Sequence, residues 1–202
     1  MSATVSKEVI ASLEDISHSL HSIEEYFAIE ASGEVRYEYW DGQFLCMSGG
    51  TRQHGDIGVN AVFILKRQFV GRNCRAFSAD QAIKTPALPP YRYLDAGAVC
   101  GERVFERIRT VEALVNPTLI IEVLSPHTEA LDRGPKREAY QALPSLMEYL
   151  LVSQNAPIVT HYLRQRNEWV RSDYRGFDAR IELPSIECTL ALSELYEGVE
   201  FP

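Results

Sequence analysis

No two of the four cysteines form a CxxC pair, which argues against a structural zinc site. Cys46, Cys74, Cys100 and Cys188 read instead as scattered small apolar residues in a reducing cytoplasm. Positive charge is also scarce: Lys and Arg total 20 against 28 Asp and Glu, a net charge of −8. Broad, non-specific grip on nucleic acid needs many cationic contacts to phosphate, so that class is disfavoured. A local basic groove or a metal-dependent phosphate site stays open. The opening MSATVSKEVIASLED lacks the continuous apolar core of a signal peptide. No apolar run approaches the length needed to span a membrane. The expectation is a cytoplasmic protein with no membrane partner. There is no G-x-S-x-G elbow, no P-loop and no dinucleotide fingerprint, and no internal repeat.

What is present is ordinary for a globular protein: 202 residues, 46% hydrophobic and 24% charged. The expected organisation is a loose N-terminal arm over residues 1–17 and a single domain over residues 18–202. An amphipathic helix is expected over His18–Ala31, with Leu20, Ile23, Phe27 and Ile29 as its apolar set. His18 and His21 are read there either as metal ligands or as a solvated face. Asp41-Gly42 is a two-residue hairpin signal between Val35–Trp40 and Gln43–Met47. A second helix spans His54–Val70, followed by strands over Cys74–Thr85, with Asp80 inside, and over Tyr91–Cys100. Lys66, Arg67, Arg72 and Arg75 form a basic cluster, read as helix C-terminal charge or as a phosphate-facing edge. Residues 101–115 look irregular, with a turn and a short helix. A strand is expected over Leu146–Ser153, then antiparallel strands over Ile158–Leu163, Trp169–Tyr174 and Arg180–Leu183, and a short closing helix over Leu190–Tyr196.

The stretch Thr118–Tyr140, TLIIEVLSPHTEALDRGPKREAY, organises the rest. Leu119–Leu124 is apolar apart from Glu122, mostly β-branched, and Ser125-Pro126 closes it, as for a strand buried on both faces. A carboxylate placed there needs a cation or a metal, because burying it unpaired costs several kcal/mol. Gly134-Pro135 predicts a helix entry with proline at the first position, and Lys136 and Tyr140 then share a face. Asp95 and Glu122 stand on separate expected strands. Two carboxylates aimed at one point make a hard-oxygen site suited to Mg²⁺ or Mn²⁺, with the Val123 carbonyl as a further ligand. Such a site polarises a phosphodiester, and Lys136 can orient the attacking water or stabilise developing charge. The competing readings are a strand-end cap for Asp95, a structural ion pair of Glu122 with Lys136 or Arg137, and a helix-entry residue for His54. Glu38 points either to solvent or to the site.

The ordered series YEYWDGQFLCMSGGTRQH (37–54), YRYLDAGAVCG (91–101), NPTLIIEVLSPHTEALDRGPKREAYQALPSLMEYLLV (116–152) and ELPSIECTLALSELYEGV resembles a known family. It is similar to the Uma-type family of restriction-endonuclease-like bacterial proteins, within the PD-(D/E)xK nuclease superfamily. The resemblance covers nearly everything from Ile23 onward. It implies an α+β fold of the α/β/α-like restriction-endonuclease kind, with a mixed central sheet flanked by helices and extra antiparallel strands toward the C-terminus. It implies a metal-dependent endonuclease acting on DNA, with Asp95 and Glu122 as ligands of Mg²⁺ or Mn²⁺ and Glu38 assisting. The superfamily lysine usually stands two residues after the second acid, where this chain has Leu124. The resemblance moves that role to Lys136 on the following helix. His54 is a further candidate. Leu94 stands where the family pattern has proline, and the alternative it motivates is an inactive nuclease-fold module that binds nucleic acid or a protein. A third reading is a homodimer or higher homo-oligomer built on the aromatic strands carrying Tyr162, Trp169 and Tyr174.

Overall fold

A computed structural model describes residues 20–32, 36–47, 50–86 and 91–201. The expected arm over residues 1–17, and His18, lie outside the described residues. The chain is mixed α+β and divides into two compact units, residues 1–49 with 109–111, and residues 50–108 with 112–202.

In the first unit, helix α1 (Ile23–Ser32) precedes a hairpin of β1 (Tyr37–Trp40) and β2 (Gln43–Cys46). Asp41 (φ 47°) and Gly42 (φ 88°) turn it in the left-handed conformation that the Asp-Gly pair predicts. The apolar set expected on α1 is not its buried face. Leu20 is 79% exposed, and Tyr26 is the residue buried on the helix. Aromatic attraction decides this: Tyr26 packs beside Tyr39 and Phe44, and its hydroxyl donates to the Tyr37 carbonyl at 3.0 Å.

The second unit is built on a six-stranded sheet ordered β12-β11-β10-β9-β6-β3. Its strands are β3 (Cys74–Ser78), β6 (Ala96–Cys100), β9 (Leu119–Leu124), β10 (Glu148–Ser153), β11 (Ile158–Gln165) and β12 (Glu168–Arg175). Strands β9 and β10 are parallel, joined through helices α3 (Glu129–Arg133) and α4 (Pro135–Gln141), and the other pairs are antiparallel. A four-stranded sheet runs β5 (Tyr91–Tyr93), β4 (Ala82–Lys84), β8 (Val111–Leu114), β7 (Phe105–Ile108). Two expected strands are therefore each divided. Asp80 sits in the turn between β3 and β4, and Leu94-Asp95 is where the chain leaves one sheet and enters the other. Residues 101–115 contain strands rather than a short helix. Strands β13 (Arg180–Leu183) and β14 (Cys188–Ala191) pair, and α5 (Leu192–Leu195) follows, so Leu190 and Ala191 are strand, not helix.

Strand β9 is buried on both faces. Leu119, Ile121 and Val123 pack with Ile57, Ala61, Ile64 and Leu65 of helix α2 (Arg52–Gln68) and with the C-terminal elements. Ile120 and Leu124 pack with Tyr140, Leu143, Tyr149 and Leu151 on the opposite side. Gly97 allows β6 to lie close to β9: a Cβ there would stand 2.5 Å from the Phe77 ring and 2.8 Å from the Leu119 carbonyl oxygen. Cys74 and Cys100 are register partners across β3 and β6 and form a disulfide. This corrects their reading as scattered apolar thiols, and only Cys46 and Cys188 are free.

Candidate active site

The two-period alternation of β9 points Glu122 to the same side as Ile120 and Leu124, toward α4. Lys136 comes from the first turn of α4, where Pro135 opens the helix, and its ammonium lies 3.1 Å from Glu122 Oε1. Both side chains are buried, at 3% and 4% exposure. Arg137, the other expected partner, turns away to stack on Tyr162 and donate to its hydroxyl at 3.0 Å. Tyr140, on the Lys136 face as the spacing predicts, donates to the Tyr93 carbonyl at 3.1 Å. That bond ties α4 to the strand just ahead of Asp95.

Asp95 lies at the break between β5 and β6. Ala96 pairs with Ile121, and the Asp95 N–H donates to the Ile121 carbonyl at 3.3 Å, which brings Asp95 alongside Glu122. Its Oδ2 then accepts the Val123 N–H at 2.7 Å. The carboxylate thus stands in for a backbone acceptor where the ladder ends. Leu94, in place of the family proline, is buried at 1% exposure among Val99, Ile120 and Tyr140.

His54 sits in the first turn of α2. Thr51 caps this helix by accepting the His54 N–H at 3.1 Å, as an N-cap should. The Thr51 hydroxyl is itself bonded to Gln154. The imidazole Nε2 lies 3.3 Å from Asp95 Oδ2. Burial pushes the His54 pKa down. The hydrogen bond and charge of Asp95, helped by the charge of Asp132 and opposed by Lys136, outweigh that and leave it above the ordinary histidine value.

Asp132 is the residue that sequence reasoning missed. It is 2% exposed, on α3, with Oδ1 3.6 Å from the Lys136 ammonium. The i,i+4 spacing of Asp132 and Lys136 was the available signal, hidden because the helix was expected to begin only at Pro135. Tyr149 donates to the Asp132 carbonyl at 2.9 Å, and its phenol pKa is raised by burial and then by the charges of Glu122 and Asp132. Glu122 and Asp132 thus face one lysine, while Asp95 is held beside Glu122 by the Val123 N–H and by His54.

The hard carboxylate oxygens of Asp95 and Glu122 fit a divalent cation such as Mg²⁺, which takes one or two carboxylates and keeps waters for exchange with substrate phosphates. No group of three or more His, Cys, Asp or Glu poised to hold an ion occurs among the described residues. Asp95 and Glu122 would therefore be supplemented by the Val123 carbonyl, water and substrate. Glu38, in the first unit, is 1% exposed and accepts the Trp40 indole N–H at 3.0 Å. The basic cluster does not gather as a phosphate-facing edge: Arg67 pairs with Glu194 at 2.6 Å, and Arg72 donates to the Ile186 carbonyl at 2.6 Å. His21 lies 3.6 Å from Glu25 and stacks on Phe44.

The Uma2 family model, described as "Putative restriction endonuclease", matches residues 23–193. An uncharacterized protein of Synechocystis, slr1290, is 33% identical over 181 residues, covering 89% of this chain and 93% of that protein. A second, sll1609, is 28% identical over 159 residues, covering 78% and 89%. A crystal structure from Anabaena variabilis, described as "a putative nuclease belonging to DUF820", superimposes with a TM-score of 0.65 at 18% identity, covering 83% and 93%. That likeness concerns the fold. No helix among the described residues is long and apolar enough to cross a membrane.

Proposed function

The chain belongs to the Uma2 family, and on that premise we propose that it is a metal-dependent endonuclease that hydrolyses phosphodiester bonds in DNA. The observation that carries the reading is the grouping of Asp95, Glu122 and Lys136: Asp95 accepts the Val123 N–H beside Glu122, and the Lys136 ammonium lies 3.1 Å from the Glu122 carboxylate. Asp95 and Glu122 would hold Mg²⁺ or Mn²⁺, with the Val123 carbonyl beside them. A cation held there would polarise a phosphodiester and lower the pKa of bound water.

The chain's own groups do the rest. The Val123 N–H holds the Asp95 carboxylate in a single orientation, so no reorganisation is needed when substrate arrives. Lys136 supplies a fixed positive charge, and its ammonium is placed to orient the attacking water or to offset charge building on the phosphoryl oxygens. Asp132 positions that ammonium from the preceding helix, α3. His54 positions Asp95 and, when protonated, competes with a cation for it. Glu38 is proposed to assist by the family resemblance.

The test is cleavage of plasmid DNA in Mg²⁺ and in Mn²⁺ by the parent, Glu122→Gln and Asp95→Asn. Both substitutions keep shape and remove charge. Loss of cleavage in both, with circular dichroism unchanged, is the expected result. Equal cutting by either variant overturns the assignment. A parent that binds DNA with or without metal and never cuts returns the protein to a non-catalytic binding role.

A further inference from the structure

Helix α2 buries Ile57, Ala61, Ile64 and Leu65 against the sheet. Its opposite face is unusual for a surface. Val59 is 69% exposed, Phe63 61% and Val70, just past the last turn, 81%. Arg52, Asp56, Val59, Phe63, Lys66 and Val70 recur at intervals of three and four, so they form one stripe along the helix. Isolated exposed apolar residues are common, but an ordered stripe of them on one helix marks an interaction surface.

The charges bordering the stripe say what covers it. Asp56 and Lys66 are both exposed, and neither has an ion pair among the described residues. They stand five residues to either side of Ala61, while Val59 and Phe63 stand two to either side. Two copies of α2 laid antiparallel about that midpoint set Val59 against Phe63 of the second copy and Asp56 against its Lys66. A two-fold interface requires such a self-complementary surface. The expected aromatic interface is already used within the subunit: Tyr162 is buried at 7% exposure, Trp169 lies under Arg164, and Tyr174 packs against the core.

We propose that the exposed face of α2, centred on Val59 and Phe63 and flanked by Asp56 and Lys66, is a two-fold homodimer interface formed by antiparallel packing of this helix against its copy. The proposal is independent of the nuclease reading.

Sedimentation velocity on the full chain tests it. The parent is expected to sediment as a dimer, and Phe63→Glu as a monomer with an unchanged circular dichroism spectrum. Asp56→Lys and Lys66→Asp are each expected to weaken association by about tenfold, because each places like charges in contact, and the double reversal is expected to restore it. These two variants keep the test sharp should Phe63→Glu fail to fold. A monomeric parent, or a dimer that survives Phe63→Glu, overturns the proposal. So does a monomer whose melting temperature falls on deletion of residues 1–19, which would assign the stripe to the chain's own N-terminal segment. Single reversals that are not rescued by the double overturn the antiparallel register.

Discussion

Lys136 is the most consequential single side chain in the second unit, because two buried carboxylates, Glu122 and Asp132, face its ammonium. Lys136→Met leaves them without that charge. The expected cost is about 3–5 kcal/mol at neutral pH, measured by urea denaturation. The loss should shrink as pH falls and the carboxylates take up protons. His54 gives a second pH signature. Its folded pKa is raised above the ordinary value. Its contribution to stability is therefore fully present below the ordinary histidine pKa of about 6.5 and is lost as pH rises through the folded value. In chelator, His54→Gln should lose this dependence, so the parent-minus-variant stability difference declines as pH rises above about 6.5. A flat difference would show that the Asp95 contact does not stabilise the imidazolium. Glu122 and Lys136 were legible in the sequence because a carboxylate inside an apolar run demands a partner, and a helical lysine followed at a suitable distance. Asp132 was not, since its meaning depends on a helical turn that no strong start signal announces: Thr128 makes no side-chain cap bond to α3.

At the level of elements, β9 and α4 could be read directly. Ser125-Pro126 ends one, Gly134-Pro135 starts the other, and the pattern between them has no competing period. The breaks at residues 79–81 and 94–95 could not, because neither carries a glycine or proline to mark it and only the sheet topology shows that the chain changes partners there. The disulfide was equally hidden, since it depends on the register that places Cys74 opposite Cys100. Two predictions belong here. Gly97→Ala forces the Phe77 ring and the Leu119 carbonyl apart from β6, costing about 1–3 kcal/mol, readable as a lowered urea midpoint. Reduction of the Cys74–Cys100 bridge, which closes a sequence separation of 26 residues, should cost about 3 kcal/mol on chain-entropy grounds. Cys74→Ser with Cys100→Ser should show the same stability with and without dithiothreitol, while the parent should not.

For the whole molecule, net charge and site chemistry pull in opposite directions. On the proposed nuclease reading, a chain of charge −8 should bind DNA through a divalent ion at the site rather than through general attraction to phosphate. Binding of a short duplex, followed by fluorescence anisotropy, should strengthen when Ca²⁺ replaces chelator, and Glu122→Gln should abolish that gain. Asp95 adds a consequence of a different kind. One of its oxygens completes the hydrogen bonding of the Val123 backbone, so selection for a folded protein alone would preserve it. Glu122, Lys136 and Asp132 form a buried charged group that apolar residues of similar volume, introduced together, can replace at little cost in stability. A lineage that stopped cutting DNA would therefore erode from Glu122 and Lys136 first, and its Asp95 would persist as a fossil of the chemistry.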